Sequence, residues 1–506
     1  MSALEALKER MAVISGLQTA GSVLGWDQET YMPPGGTASR ARAMGAVSRT
    51  AHELSTSEEY RRLLEAAERE AAAAGWDPDG DEARLVWRAR KDFDLDVKLP
   101  PAFVAELRQT EVVANQTWQA ARKENDYPRF APHLDKLLGL QRRMAEYLGY
   151  DDHPYDALLD LFEPEMKTRD VQRVFADLRE RTVPLVRAIA ARGDAVDDAV
   201  LWQRYDEGRQ WALAREATEL FGYDYEHGRM DRSAHPFTTT FGADDVRLTV
   251  RVLEDFFSAC FFAAAHECGH ATHGQGSPAR FDGTVLGGVA SSGIAESQSR
   301  LWENLVGRSR EFWRFFFPRA QAAFPEQLGG VDAERFYRAV NKSGPSLIRV
   351  EADEVTYNLH IMLRFDLEVA LIEGKLGVQE LPARWNEKMA EYLGIVPDTD
   401  ADGVLQDTHW GSGLFGYFPT YTLGNVMSVQ LHEAARQAGA GTPDQLARGE
   451  FAPLLAWMRD NVHAHGRKFL PQEVMERATG RQLTAEPYIA YLTGKYGEIY
   501  RVTNDE

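Results

Sequence analysis

The residues whose types and spacing could do chemistry stand together at His266, Glu267 and His270, in the stretch HECGH. Four residues of α-helix turn through about 400°, so the two histidines share one face, about 40° apart and one turn from each other. At that spacing two imidazoles can share one Zn²⁺ at about 2.1 Å. Glu267 then lies beside the open coordination position. A carboxylate there can take a proton from a metal-activated water and later hand it to a leaving amine. The implied chemistry is metal-assisted hydrolysis. An HExxH pattern arises by chance in roughly two of a hundred chains of this composition, so its surroundings decide. The preceding residues, FFSACFFAAA, are apolar or small and predict a buried helix. A buried pair of His with a Glu between them is costly unless coordinated or hydrogen-bonded.

A third ligand has to come from further along the chain. His273 is on nearly the same helix face as His266 but about 10 Å along the axis, too far to join the same ion; it is expected at the surface or the edge of the core. The longer pattern HExxHxxGxxH is absent, because position 273 is His and position 276 is Gly. Among the downstream acids, Asp282 stands near a glycine-rich turn, Glu303 follows it, and Glu296 opens the periodic segment ESQSRLWENLVG. Spacing favours Glu296 over the other two. A Glu on a following helix, 26 residues after His270, suits a centre of two His and one Glu.

The elements that must position these residues are mostly helices. In EADEVTYNLHIMLRFDLEVALIEGKLG, Val355, Leu359, Met362, Phe365 and Val369 recur at steps of three and four, a core-facing stripe on a helix ending near Gly374. Similar periods run through 38–70, 102–124, 168–191, 205–221 and 430–437, with breaks at MPPGG, AGWDPDGD, LPP and RGDAVDD. One strand region stands out, HPFTTTFGADDVRLTVRV, where Val246, Leu248, Val250 and Val252 alternate at period two just before the HECGH helix. No repeat, low-complexity tract or long linker divides the chain, which reads as a single large helical unit over 1–506 with sub-regions 1–200 and 201–506.

Composition sets outer bounds. The 506 residues carry 57 Lys+Arg against 77 Asp+Glu, a formal net charge of −20, so a nucleic-acid or anionic-membrane partner is not expected. The two cysteines, Cys260 and Cys268, fit a reducing cytosol better than a disulfide framework. The N-terminal residues read as a first helix rather than a signal peptide. The most apolar stretch, 256–265, is about half the ~20 residues a bilayer crossing needs.

The motifs resemble, in order, those of the carboxypeptidase Taq family of metallocarboxypeptidases: WDQETYMPPGG at 26–36, HPF at 235–237, DVRLT at 245–249, HECGH at 266–270, ESQ at 296–298, IRVEAD at 348–353, GVLQDTHW at 403–410 and GYFPTY at 416–421. The resemblance covers nearly the whole chain. It implies a mainly α, two-lobed helical metallopeptidase with a deep central groove and a small antiparallel sheet beside the metal helix. It also implies one divalent metal per chain, zinc first and cobalt as the alternative, held by His266, His270 and Glu296, with Glu267 as catalytic base. The expected reaction is hydrolysis of the last peptide bond of peptides with a free carboxylate, with broad preference, by a cytoplasmic homodimer. Such a reaction needs a group that holds the terminal carboxylate, and a guanidinium does so bidentately. Arg349 is the first candidate and Arg247 the second, each with a structural ion pair to nearby acids such as Glu351 or Asp245 as the competing role. His409 and Tyr421 are the expected oxyanion donors, with Tyr417 and His235 nearby on the substrate's path. The alternatives are an endopeptidase or dipeptidyl-releasing enzyme of the same class, or a catalytically weakened peptide-binding relative. Two departures from the family pattern bear on these: Ala295 stands where His usually precedes the ligand Glu, and His273 stands where relatives tend to have an aromatic.

Overall fold

Long helices dominate where the apolar periods lie. The structure is a computed structural model that describes residues 2–502. The chain forms two compact units, and neither is one stretch: the first takes Met1–Val97, Ala199–Val340 and Leu431–Gln482, the second Lys98–Asp198, Asn341–Gln430 and Leu483–Glu506.

In the first unit, Ser2 and Glu5 form a reciprocal capping box at the start of the helix Ala3–Thr30. Its Leu4, Leu7, Met11 and Ile14 pack on Leu64 and Ala67 of the helix Glu58–Ala74 and on Leu85, Ala89 and Phe93 of the helix Asp81–Asp96. The continuous period expected over 38–70 is broken after Ser55, because the Ser57 hydroxyl accepts from the Tyr60 N–H and starts a new helix. A second core lies around Phe257, Phe261, Phe312, Trp313, Phe316 and Phe336, all buried and mostly in edge or tilted ring contacts. Phe257 and Phe261, one helical turn apart, plant the first half of the helix Phe257–Gln275 in this core. The second half carries His266, Glu267 and His270.

Beside that helix lies a three-stranded sheet, β1 (Gly228–Arg232), β2 (Thr238–Gly242) and β3 (Asp245–Val250), in the order β1-β3-β2. Val246, Leu248 and Val250 are all fully buried, as alternation predicts, while Val252 falls beyond the strand. The sheet is mixed rather than antiparallel. β2 and β3 pair antiparallel through a tight turn, but β1 pairs parallel with β3. The short connection from β1 to β2 carries the chain past one position, and β3 returns into the gap between them, running in the direction of β1.

In the second unit the helices Pro101–Glu124, Tyr127–Leu148, Thr168–Ala190, Tyr357–Ile372 and Leu381–Leu393 supply the core. The helix Tyr357–Ile372 ends two residues before Gly374, whose φ of 76° only glycine adopts freely. Its apolar stripe is buried as expected. So are Asn358, His360, Arg364 and Glu368 on its other faces, so most of the helix surface is enclosed, with only the strip of Asp366 and Ala370 partly exposed.

Candidate functional site

The first unit builds a compact ligand cluster from two helices. His266 and His270 come from the helix Phe257–Gln275 and Glu296 from the helix Ser292–Arg300. Their ligand atoms all lie within 4.8 Å of one another. The His266 Nε2 lies 3.7 Å from Glu296 Oε2, and the two imidazole rings stand nearly perpendicular at 5.0 Å. Gly269 lets the helices close to this degree: a Cβ there would lie 2.4 Å from the Gln298 carbonyl oxygen and 2.6 Å from Ser299 Cα. Two imidazole nitrogens and one carboxylate oxygen form a donor set that a catalytic zinc ion takes, so the residues fit the expected divalent metal.

Electrostatics around the cluster are set by burial and a few fixed partners. Burial works against charge on His266, but a 3.0 Å bond between its Nδ1 and Glu303 Oε2, together with Glu296, holds its pKa above the ordinary value. His270 is pushed below it, chiefly by burial. Glu296 is held below the usual carboxylate range against the opposing effect of burial, by both histidines and Arg300. Glu303 too is held well below that range, against the opposing effect of burial, by Arg300, His266 and Arg308. Glu303 stands outside the three-residue cluster and bonds His266 Nδ1 instead. It sits in Leu301–Val306, a π-helical segment, a widened turn that often marks functional positions. Asp282 is exposed and outside the cluster.

Glu267 is buried, and its Oε2 accepts a 2.7 Å bond from the Thr238 hydroxyl, which also reaches the Glu267 carbonyl at 3.1 Å. Strand β2 thereby fixes the carboxylate. Thr238 lies next to the HPF motif, but nothing in the sequence marks it as the partner of Glu267. His235 itself is exposed in the turn between β1 and β2, with Nδ1 3.1 Å from the Pro236 carbonyl. Arg247 on β3 is engaged by Asp245 through Nε and Nη2 at 2.8 and 2.7 Å, and its guanidinium lies over Trp26 and Phe241. His273 is not at the core's edge. It is buried, stacked on His463 at 4.5 Å, and burial pushes its pKa down to about 3.

The second unit gathers the remaining candidates. Arg349 is buried, and its Nε and Nη2 donate to Asp407 Oδ1 at 2.9 and 2.8 Å while Nη1 donates to the Tyr357 hydroxyl at 2.8 Å. Its acid is therefore Asp407, not the neighbouring Glu351. Asp407 Oδ2 also accepts from Arg364 at 2.7 Å. Burial alone would raise the Asp407 pKa, but the two guanidinium groups hold it well below the carboxylate range. His409 lies on Phe418 with ring centroids 4.3 Å apart, and its Nε2 is 3.3 Å from the Tyr421 hydroxyl. Tyr417 packs edge-on against Phe162 and Tyr421.

Comparison with known proteins agrees with this chemistry. The sequence model of the carboxypeptidase Taq (M32) metallopeptidase family matches residues 6–496. Thermostable carboxypeptidase 1 of Thermus thermophilus is 43% identical over 493 residues, spanning 96% of each chain. Carboxypeptidase 1 of Bacillus subtilis is 37% identical, again over 96% of each. The crystal structure of the M32 carboxypeptidase from Deinococcus radiodurans superposes with a TM-score of 0.96 at 41% identity, covering 99% of this chain and 100% of that one. Metallocarboxypeptidase 1 of Trypanosoma cruzi gives 0.93 at 30% identity, covering 98% and 99%. With the ligand cluster, the HExxH helix and matches of this extent, the chain belongs to the carboxypeptidase Taq (M32) family of metallopeptidases and is a metal-dependent peptide hydrolase.

Proposed function

We propose that this enzyme removes single residues from the free carboxyl end of peptides, with broad preference, using one divalent cation held by His266, His270 and Glu296. The observation that carries the reading is the convergence of these three ligand atoms within 4.8 Å, with Glu267 on the same helix. The donor set favours zinc, with cobalt as the alternative. Bound there, the cation supplies Lewis acidity toward the scissile carbonyl and the attacking water. Glu267, its second oxygen steadied by Thr238, accepts the proton of that water and returns it to the departing amine.

Arg349 receives the terminal carboxylate. Three of its five N–H donors are committed, to Asp407 and Tyr357, which leaves two for a ligand. Arg349 and Arg364 together also carry one more charge than Asp407 offsets. His409 and Tyr421 donate to the developing oxyanion, and Arg247, His235 and Tyr417 line the peptide's path. The enzyme works as a cytoplasmic homodimer. Among the described residues, no helix is long and apolar enough to cross a membrane. Light scattering on the purified protein tests the dimer.

Mass spectrometry of one peptide and its C-terminally amidated twin tests the reaction, before and after chelation and with zinc or cobalt restored. Stepwise loss of single residues from the free-carboxyl peptide alone, abolished by chelation, is the expected result. Internal cleavage of both peptides would move the activity to an endopeptidase. No cleavage with either metal would turn attention to Ala295, next to Glu296.

A further inference from the structure

We infer that Glu368 is a positioning residue for the His409–Tyr421 donor pair, holding both ends of the loop between His409 and Tyr417 on one buried carboxylate. Glu368 is fully buried on the helix Tyr357–Ile372. Its Oε1 accepts from the indole N–H of Trp410 at 2.8 Å, and its Oε2 accepts from the Gly416 N–H at 3.1 Å and the Tyr155 hydroxyl at 2.6 Å. Trp410 directly follows His409, and Gly416 directly precedes Tyr417. One oxygen thus holds each end of the loop.

The loop backbone is fitted to this attachment. Gly416 has φ 89°, and a Cβ on it would lie 2.6 Å from the Leu158 carbonyl oxygen. Only glycine brings the chain close enough to α-helix Pro154–Leu159 for its N–H to reach Glu368. Gly413 takes φ 71°, and its carbonyl accepts from the Gln141 side chain at 2.9 Å. The result is that the His409 ring, stacked on Phe418, presents Nε2 3.3 Å from the Tyr421 hydroxyl. A buried carboxylate with three neutral donors and, among the described residues, no cation in hydrogen-bond contact is an expensive arrangement. Burial pushes its pKa up to about 7 against those donors. A carboxylate suits the place because each oxygen can accept, and both loop ends present donors.

The inference rests on the reading that His409 and Tyr421 stabilise the transition state. Glu368→Gln keeps the shape but has one acceptor oxygen. In either orientation its amide N–H₂ faces a donor, from Trp410 or from Gly416, and one loop end is released. The expected result is a fall in kcat of about 10-fold or more with KM within about two-fold, the pattern of an interaction realised in the transition state. Rates are normalised to bound metal, so that misfolded protein does not enter. Trp410→Phe removes one attachment and should lower kcat less. The double variant Glu368→Gln/Trp410→Phe should be no slower than Glu368→Gln by more than about two-fold, because with the indole gone the Gln oxygen can face Gly416 and still only one loop end is released. Tyr155→Phe removes a bond to the same carboxylate that does not touch the loop, and should lower Tm while leaving kcat in place. The inference is overturned if Glu368→Gln retains wild-type kcat, or if Tyr155→Phe loses as much kcat as Glu368→Gln. Tyr421→Phe separates the two levels of argument. If it retains full kcat, the donor reading itself fails; if it loses kcat while Glu368→Gln does not, only the role of Glu368 fails.

Discussion

Glu303→Gln should weaken metal binding while leaving every ligand in place. In the native chain the Glu303 Oε2 accepts from His266 Nδ1 at 3.0 Å and from Arg300 Nη1 at 3.0 Å, and Arg308 stands 3.5 Å from its other oxygen. The bond keeps the proton on Nδ1, so that the lone pair of Nε2 faces Glu296. The charge does a second task. Arg300 lies 3.8 Å from the Glu296 carboxylate, so without Glu303 two guanidinium groups act on an incoming cation with less to offset them. Gln can still accept from Nδ1, and the loss therefore reports charge: about 10-fold in metal Kd, or ~1.4 kcal/mol. Glu303→Leu also gives up the tautomer and should lose about 100-fold, ~2.7 kcal/mol. The assay is competition of the apo protein against a chelator of known affinity, with Tm measured in the metal-free state to separate folding from binding. A Kd for Glu303→Gln within about three-fold of wild type, in a folded protein, would refute the reasoning.

Glu267→Gln should lower kcat by about 10²–10⁴-fold with metal content unchanged, since the amide accepts no proton; metal analysis beside turnover checks both halves. Gly269→Ala places a Cβ against the Gln298 carbonyl and should push the helix Ser292–Arg300 away from His270, so metal affinity and Tm fall together, as calorimetry with and without metal would show. Asp407→Asn leaves two buried arginines without a counter-charge, a loss of about 3–5 kcal/mol near neutral pH. Because Asp407 is held below its unfolded pKa of about 3.9, its contribution is present above that pH and lost as pH falls through the lowered folded value. The Tm gap between variant and wild type should therefore narrow on acidification below about pH 4, and a constant gap would contradict the assignment.

The candidate ligand cluster is legible in the sequence because its geometry is local. Helical spacing alone puts His266 and His270 on one face, and Glu296 needs only the start of the following helix. The partners that tune them are not, because each lies far along the chain or across a choice that sequence does not encode. Thr238 meets Glu267 from a strand, Glu303 selects one of two imidazole nitrogens, and Arg349 takes an acid 58 residues away rather than Glu351, two residues away. The mixed sheet likewise depends on where β3 returns, which alternation of Val246, Leu248 and Val250 leaves open.

The helix Tyr357–Ile372 shows how such partners stay hidden. Its apolar stripe is plain in the sequence, and by the same rule His360, Arg364 and Glu368, at steps of four, form a second stripe. A polar stripe opposite an apolar one ordinarily faces water. Here all three are completely buried, Arg364 meeting Asp407, and Glu368 meeting Tyr155, Trp410 and Gly416. Periodicity places residues on a common face but does not say what lies opposite that face. Desolvating Arg364 and Glu368 is tolerated only where distant residues complete their hydrogen bonds. The same burial that conceals the stripe in the sequence therefore ties it to the loop bearing His409, which is why substitutions on this face should be read in kcat as well as in Tm.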